Sequence, residues 1–333
     1  MKKTEHIDEI EYSYDELELL INFILSHKKE YIQQFLKERG LHYFYTKALL
    51  KDKIYEGIEK ENFTKDELIE LLDFIEEYGN QHIYLFRVAD NYTKQMRNNS
   101  LIIKKLRKEG LEEVFNNNKP LLLPDAATIC SIVHNSNIFK IKWVEKRTWK
   151  ELIDEKIEGD KLIKTYQIHL KRGITTFRVN LITGDAELMI QRLPSGSNYR
   201  KAKEEYLKYL SKIFNVDTLS IVNLRSAITR IENSDEVERR QTNFETLSGG
   251  KASFKSKRQG TDYINDPYLK KARESMGQNV SAELGNFYWL PNDVLNRKIH
   301  THIYSSDNRV GIFGECTQQE VDYVLSRIRY FAS

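Results

Sequence analysis

Ile138-Phe139-Lys140-Ile141-Lys142-Trp143-Val144 alternates apolar and basic side chains with a period of two. Successive side chains of a strand point to opposite faces. The spacing therefore predicts a strand with Phe139, Ile141 and Trp143 on one face and Lys140 and Lys142 on the other. Lys146, Arg147 and Lys150 continue the positive run, with Trp149 among them. Downstream, 162–170, 174–181 and 186–193 also read as strands. Lys171-Arg172-Gly173 and Thr183-Gly184-Asp185 supply turn residues between them, which predicts an antiparallel meander.

Upstream of this stretch the period is helical. Ser13-Tyr14-Asp15-Glu16 and Thr64-Lys65-Asp66-Glu67 fit the capping box, in which a hydroxyl and a carboxylate cover each other's unpaired backbone N–H groups. Each is followed by apolar residues at helical spacing: Leu17, Leu20, Ile21 and Ile24, then Leu68, Leu71, Leu72 and Ile75. Further helices are expected near 31–39, 42–50 and 101–115. The Asn-rich segment Asn116-Asn117-Asn118-Lys119-Pro120 then marks a boundary.

Beyond the meander, helices are expected at 199–214 and at 218–231, the second capped by Asp217. Strands at 237–246 and 251–258 flank Ser248-Gly249-Gly250, a hairpin turn in which glycine takes positive φ without a Cβ clash. A helix at 267–276, strands at 298–304 and 310–315, and a helix opened by Thr317 and Glu320 complete the chain. The fold class is α+β. An all-α helical domain, 1–115, precedes an antiparallel-β-rich α+β domain, 116–333, with a division near 232–236 that would give two β-plus-helix subdomains.

Charge follows the same division. The 333 residues hold 52 basic and 49 acidic side chains. Residues 1–90 carry 12 basic and 20 acidic, a net −8, and the remainder 40 and 29, a net +11. A sign change of this kind implies two surfaces with different partners. Composition excludes several classes. With 11% aromatic residues the chain folds, and Cys130 and Cys316 stand alone, without a C-x-x-C, which excludes a zinc or disulfide framework and suits a reducing cytoplasm. No apolar run reaches the roughly 18 residues of a membrane span, so no membrane partner is expected. Heavy use of Lys, Ile, Asn and Tyr suggests an AT-rich, bacterial genome.

No phosphate-binding glycine loop, nucleophile elbow or zinc-protease pattern occurs, so no catalytic residue, cofactor or metal ligand is assigned. Asp154-Glu155-Lys156 is the lone D-x-K, expected in a charged loop or helix. The strongest constellation is basic. Lys140, Lys142, Lys146 and Arg147 form one cationic ladder. Lys251, Lys255, Lys257 and Arg258 form a second, in which Lys251, Ser253, Lys255 and Lys257 share a strand face. Cations with a small hydroxyl among them suit phosphate oxygens. The expectation is therefore a non-enzymatic protein that contacts the DNA backbone, in bacterial DNA metabolism or phage defence, with the acidic helical domain docking a protein partner. Two alternatives are a divergent metal-dependent nuclease or hydrolase, built on His300 and His302 with nearby acids, and a structural subunit whose opposite charges hold an assembly together.

Overall fold

The structure, a computed structural model, describes residues 16–256, 261–277 and 280–333. Ser13, Tyr14 and Asp15 of the first expected capping box, and Lys257 and Arg258 of the second ladder, lie outside the described residues. The chain divides into two compact units, one ending at Ile75 and one running from Glu76 to Ser333. The expected boundary at 115–116 thus falls inside the second unit, because β1 (Gly79–Val88) comes from the part read as helical and lies in the middle of the sheet.

The first unit contains α1 (Glu16–Ser26), α2 (Lys29–Glu38), α3 (Lys47–Glu59) and α4 (Lys65–Glu76). The second capping box forms as expected: Thr64 N–H donates to Glu67 Oε2 at 2.7 Å and Glu67 N–H to Thr64 Oγ1 at 3.2 Å. α3 begins later than expected because Thr46 caps it, accepting from Leu49 N–H. Leu20, Ile24, Leu36, Leu50 and Ile54 are buried, and Phe63 meets Phe35 edge to face at 5.2 Å. Residues 1–75 still hold 11 basic and 17 acidic side chains against 41 and 32 in the rest, so the charge asymmetry survives the earlier boundary.

The second unit continues with α5 (Asp90–Met96), α6 (Asn99–Lys108), β2 (Thr128–His134), β3 (Ile138–Glu158), β4 (Lys161–Asn180), β5 (Asp185–Gln191) and α7 (Tyr199–Ser211). Then come β6 (Leu219–Ile221), α8 (Leu224–Glu232), β7 (Val237–Thr246), β8 (Lys251–Lys255), α9 (Pro267–Ser275), β9 (Val280–Trp289), β10 (Ile299–Tyr304), β11 (Arg309–Glu315) and α10 (Gln318–Ala332). Among the described residues the strands form one eleven-stranded antiparallel sheet in the order β2-β3-β4-β5-β1-β11-β10-β9-β7-β8, with β6 beside β1. The α+β class is as expected.

Two cores lie on opposite faces of this sheet, and β1 feeds both. Ile83 and Leu85 enter a core with Ile228, Phe287, Trp289, Ile303, Ile312 and Val324, under α8 and α10. Tyr84 and Phe86 enter another with Phe139, Ile141, Trp143, Phe177 and Leu188, covered by Tyr206 and Leu210 of α7. The halves of the sheet are therefore clothed on different sides.

Two local expectations are corrected. Lys171-Arg172-Gly173 is not a turn but the middle of β4, where Arg172 is fully buried. Its guanidinium bonds Glu76 at 2.6 Å and the Leu121 and Leu122 carbonyls, while Gly173 leaves room for Arg147, whose Nε would stand 2.2 Å from an added Cβ. The 218–231 helix is instead β6 followed by α8. Asn223, not Asp217, caps α8 by accepting from Arg225 N–H. α8 packs in the core of β7 and β9.

Candidate functional site

The first cationic ladder is neutralised within the fold. Alternation along β3 is as expected, and Phe139, Ile141 and Trp143 are core. The opposite face is closed in part, with Lys142 buried, Lys140 half-buried and Lys146 exposed. Glu77, just past α4, places one carboxylate oxygen 2.8 Å from Lys140 Nζ and the other 2.8 Å from Lys142 Nζ. Lys142 and Glu77 are both buried. Arg147 is buried as well, on Glu145, the Gln191 carbonyl and Thr175, and Lys146 pairs with Asp125. Adjacent same-face lysines repel unless an anion screens them, and here the anion is a side chain of the same chain.

Burial pushes the Glu77 carboxyl up, but Lys142 and Lys140 outweigh it and hold it at about 2. Glu77→Gln leaves two lysines without their counter-ion, one of them buried, and is expected to destabilise the protein by about 3 kcal/mol. Urea unfolding should show a lower midpoint at an unchanged slope.

The second ladder is placed differently. Lys251, Ser253 and Lys255 share the solvent face of β8, with Phe254 buried behind them. Lys251 is 72% exposed and loosely opposite Glu283 at 3.6 Å. Cross-strand register carries this face across the sheet. Lys255, Gln241, Asn286, His302, Gly311 and His82 form one row over six strands, and Ser253, Asn243, Leu284, Tyr304, Arg309 and Tyr84 the next. A third row joins Tyr288, His300 and Phe313. At about 4.8 Å per strand the open part, from β8 to β11, is about 19 Å across, and at β1 the rows end in His82 and Tyr84, which are buried. α8 packs beneath β7, β9 and β10 on the other side, and the side chains of this face from β9 to β11 stay half-buried apart from Gly311.

Its chemistry is aromatic and imidazole. Tyr288 stacks on His300 at 4.4 Å with 16° between the planes. Phe313 lies 5.0 Å from His300 and 4.7 Å from His302. The Arg309 guanidinium sits 4.2 Å over Tyr304 and 4.7 Å over Tyr199, whose ring lies 4.0 Å from His82. Gly311 makes this approach possible, since an added Cβ would stand 3.0 Å from His82 Cε1 and 3.2 Å from Phe313 Cζ. The face ends in an open pocket of about 440 Å³ lined by 196–200, Asp307 and Arg309.

The histidines are neutral. Burial, then Arg309, Arg192 and His302, push His82 down to about 3. Burial, His300 and Arg309 hold His302 at about 4, and burial with Arg240 lowers His300. Arg309 donates to His82 Nδ1 at 2.9 Å, so that nitrogen carries a lone pair and the proton is on Nε2. His300 Nε2 meets Asn286 Oδ1 at 2.8 Å, and His302 Nδ1 the Tyr304 hydroxyl at 3.1 Å. His302 Nε2 and Arg309 Nε are buried with no hydrogen-bond partner among the described residues. A buried polar atom left so is costly.

Sequence reasoning found Lys251, Lys255, His300 and His302 separately, and the sheet puts them on one face. It missed His82, Tyr199, Asn286, Tyr288, Tyr304, Arg309 and Phe313. The signal was present in 299–304, where His300, His302 and Tyr304 alternate with Ile299, Thr301 and Ile303. His300 and His302 are surrounded by rings rather than acids. No group of three or more His, Cys, Asp or Glu able to hold a metal occurs among the described residues. Nor is any helix among them long and apolar enough to cross a membrane. The sequence matches no protein-family model and no curated protein, so the face is read from its own chemistry.

Proposed function

We propose that the protein binds single-stranded nucleic acid on the open face of β7 to β11, with bases stacked on its rings and phosphates on its basic edge. The observation that carries this reading is the shared face: Tyr288, His300, Tyr304 and Phe313 lie in the same register rows as Lys255 and Ser253, or beside them. Bases expose their π-faces and polar edges only when unpaired, and aromatic platforms beside cations are how sheet proteins take them. Neutral imidazoles suit this role, since they stack and hydrogen-bond without needing a counter-ion.

Lys251 and Lys255 are the described cations that would meet phosphate, and Lys257 and Arg258 lie outside the described residues. Lys140, Lys142, Lys146 and Arg147 already have carboxylate or carbonyl partners within the chain. The acidic first unit repels phosphate and is suited to a protein partner. Fluorescence anisotropy with a labelled oligothymidylate tests the reading. Affinity should fall linearly on a log–log plot against salt. Lys251→Gln with Lys255→Gln should make the slope shallower by about 1.4, at about 0.7 per phosphate contact on a single strand. Binding indifferent to salt, or a slope the pair leaves unchanged, would refute it.

A further inference from the structure

The hairpin of β3 and β4 continues well past the sheet. β2 stops pairing with β3 at Val144, and β5 stops pairing with β4 at Thr175. From Trp149 to Glu158 and from Lys161 to His169 the two strands pair with each other and with no other strand among the described residues. Ten residues at about 3.3 Å make an arm about 33 Å long. Asp154-Glu155-Lys156, expected in a loop or helix, lies within it.

The arm has two unlike faces. Register puts Leu152 opposite Tyr166, Ile157 opposite Leu162 and Ile168 opposite Lys150, all on one face. Leu152, Ile157, Leu162, Tyr166 and Ile168 are 46, 76, 54, 48 and 48% exposed. Leu152 and Ile157 are five apart, so strict alternation would separate them. A bulge at Ile153 shifts the register by one and returns both to the same side. The other face carries Glu151, Asp154, Lys156, Glu158 and Lys161, with Trp149 stacked on His169. A two-stranded ribbon is marginal alone, and an uncovered apolar stripe on one is a surface for another molecule.

We propose that the arm is a self-association element, in which the apolar faces of two copies stack about a two-fold axis running along the arm. Charge decides the occupant and the geometry. Within one copy Glu155 lies opposite Lys164 on the apolar face, 3.0 Å apart. A two-fold axis along the arm sets each β3 residue over the β4 residue at its own level in the second copy. Leu152 then meets Tyr166, Ile157 meets Leu162, and Glu155 meets Lys164 twice over. The opposite arrangement would set Leu152 and Tyr166 on the charged pair. The face offers on the order of 350 Å² per copy, below the roughly 800 Å² of a stable interface, so the dimer should dissociate on dilution.

Sedimentation velocity over about two decades of protein concentration tests this. The full chain should pass from monomer to dimer. Ile157→Lys should weaken the dimer by about a hundredfold, since each interface holds the position twice. Glu155→Lys alone and Lys164→Glu alone should each weaken it by about tenfold. A one-to-one mixture of those two variants should restore it as a heterodimer. No effect confined to one copy would be repaired in this way. A chain monomeric throughout, a dimer indifferent to Ile157→Lys, or a mixture no tighter than its components would overturn the proposal.

Discussion

Between pH 7 and pH 4 the protein is expected to lose on the order of 5 kcal/mol of stability through His82 and His302. Both are held neutral in the fold, at about 3 and about 4, by burial and by the charges around them. Unfolded, each takes up a proton near 6.5. Between those values the unfolded chain binds more protons than the folded one, so stability rises with pH across the window and falls as pH drops below 6.5. The cause is visible in the geometry: Arg309, always charged, donates to His82 Nδ1, and a protonated ring would have to face it. The depressed carboxylate Glu77 acts in a separate window. Its contribution is present above the ordinary carboxylate value near 4.5 and is lost as pH falls toward about 2. Urea midpoints at pH 7, 5.5 and 4 separate the two. Loss beginning just below 6.5, reduced by about half in His82→Gln, is the expected result. A profile flat down to about 4.5 would assign acid lability to carboxylates instead.

Much of the second unit could be read from period-two alternation and turn chemistry. The hairpin around Ser248-Gly249-Gly250 forms where expected, with Gly249 at φ 83°, as do α7, α9, β10, β11 and the capping box of α10. Failures have a common physical cause. Ile83-Tyr84-Leu85-Phe86 is apolar without alternation because β1 lies between two cores, and a strand buried on both faces has no polar face to reveal it. Lys171-Arg172-Gly173 has the composition of a turn, but Arg172 is held by Glu76, 96 residues away in sequence. Lys140 and Lys142 look like an exposed ladder because their counter-ion, Glu77, is 63 residues upstream of Lys140. Local pattern identifies which side chains share a face. It does not identify what covers that face.

The same distinction separates the two ladders. Lys251 and Lys255 are on an edge strand whose face continues into Asn286, His302 and His82 only because five further strands lie in register beside it. Residues 82 and 302 are brought together by the β1–β11–β10 pairings, which no short segment encodes. Lys251, Lys255, His300 and His302 were legible one by one, whereas Tyr288, Tyr304, Arg309 and Phe313 and the assembly of the face required the topology.

Replacing Tyr288 and Phe313 together by alanine is expected to lower affinity for a single strand by about a hundredfold to a thousandfold. Each ring removes a stacking surface worth about 2 kcal/mol per base. Both are half-buried on the open face, and the cores beneath are built from Phe287, Trp289 and Ile312, so the folded state should persist by circular dichroism. Duplex binding, which offers no free base faces, should change far less. Lys251→Gln with Lys255→Gln should act differently, through salt dependence rather than through bases.

The most direct measurement is therefore the affinity of one labelled single strand, at one fixed salt concentration, for the wild type and for the Tyr288→Ala, Phe313→Ala variant. The predicted result is tight binding by the wild type and a loss of about two orders of magnitude or more in the variant. Equal affinity for the two proteins, or no binding by either, would contradict the assignment of this sheet face as a nucleic-acid platform.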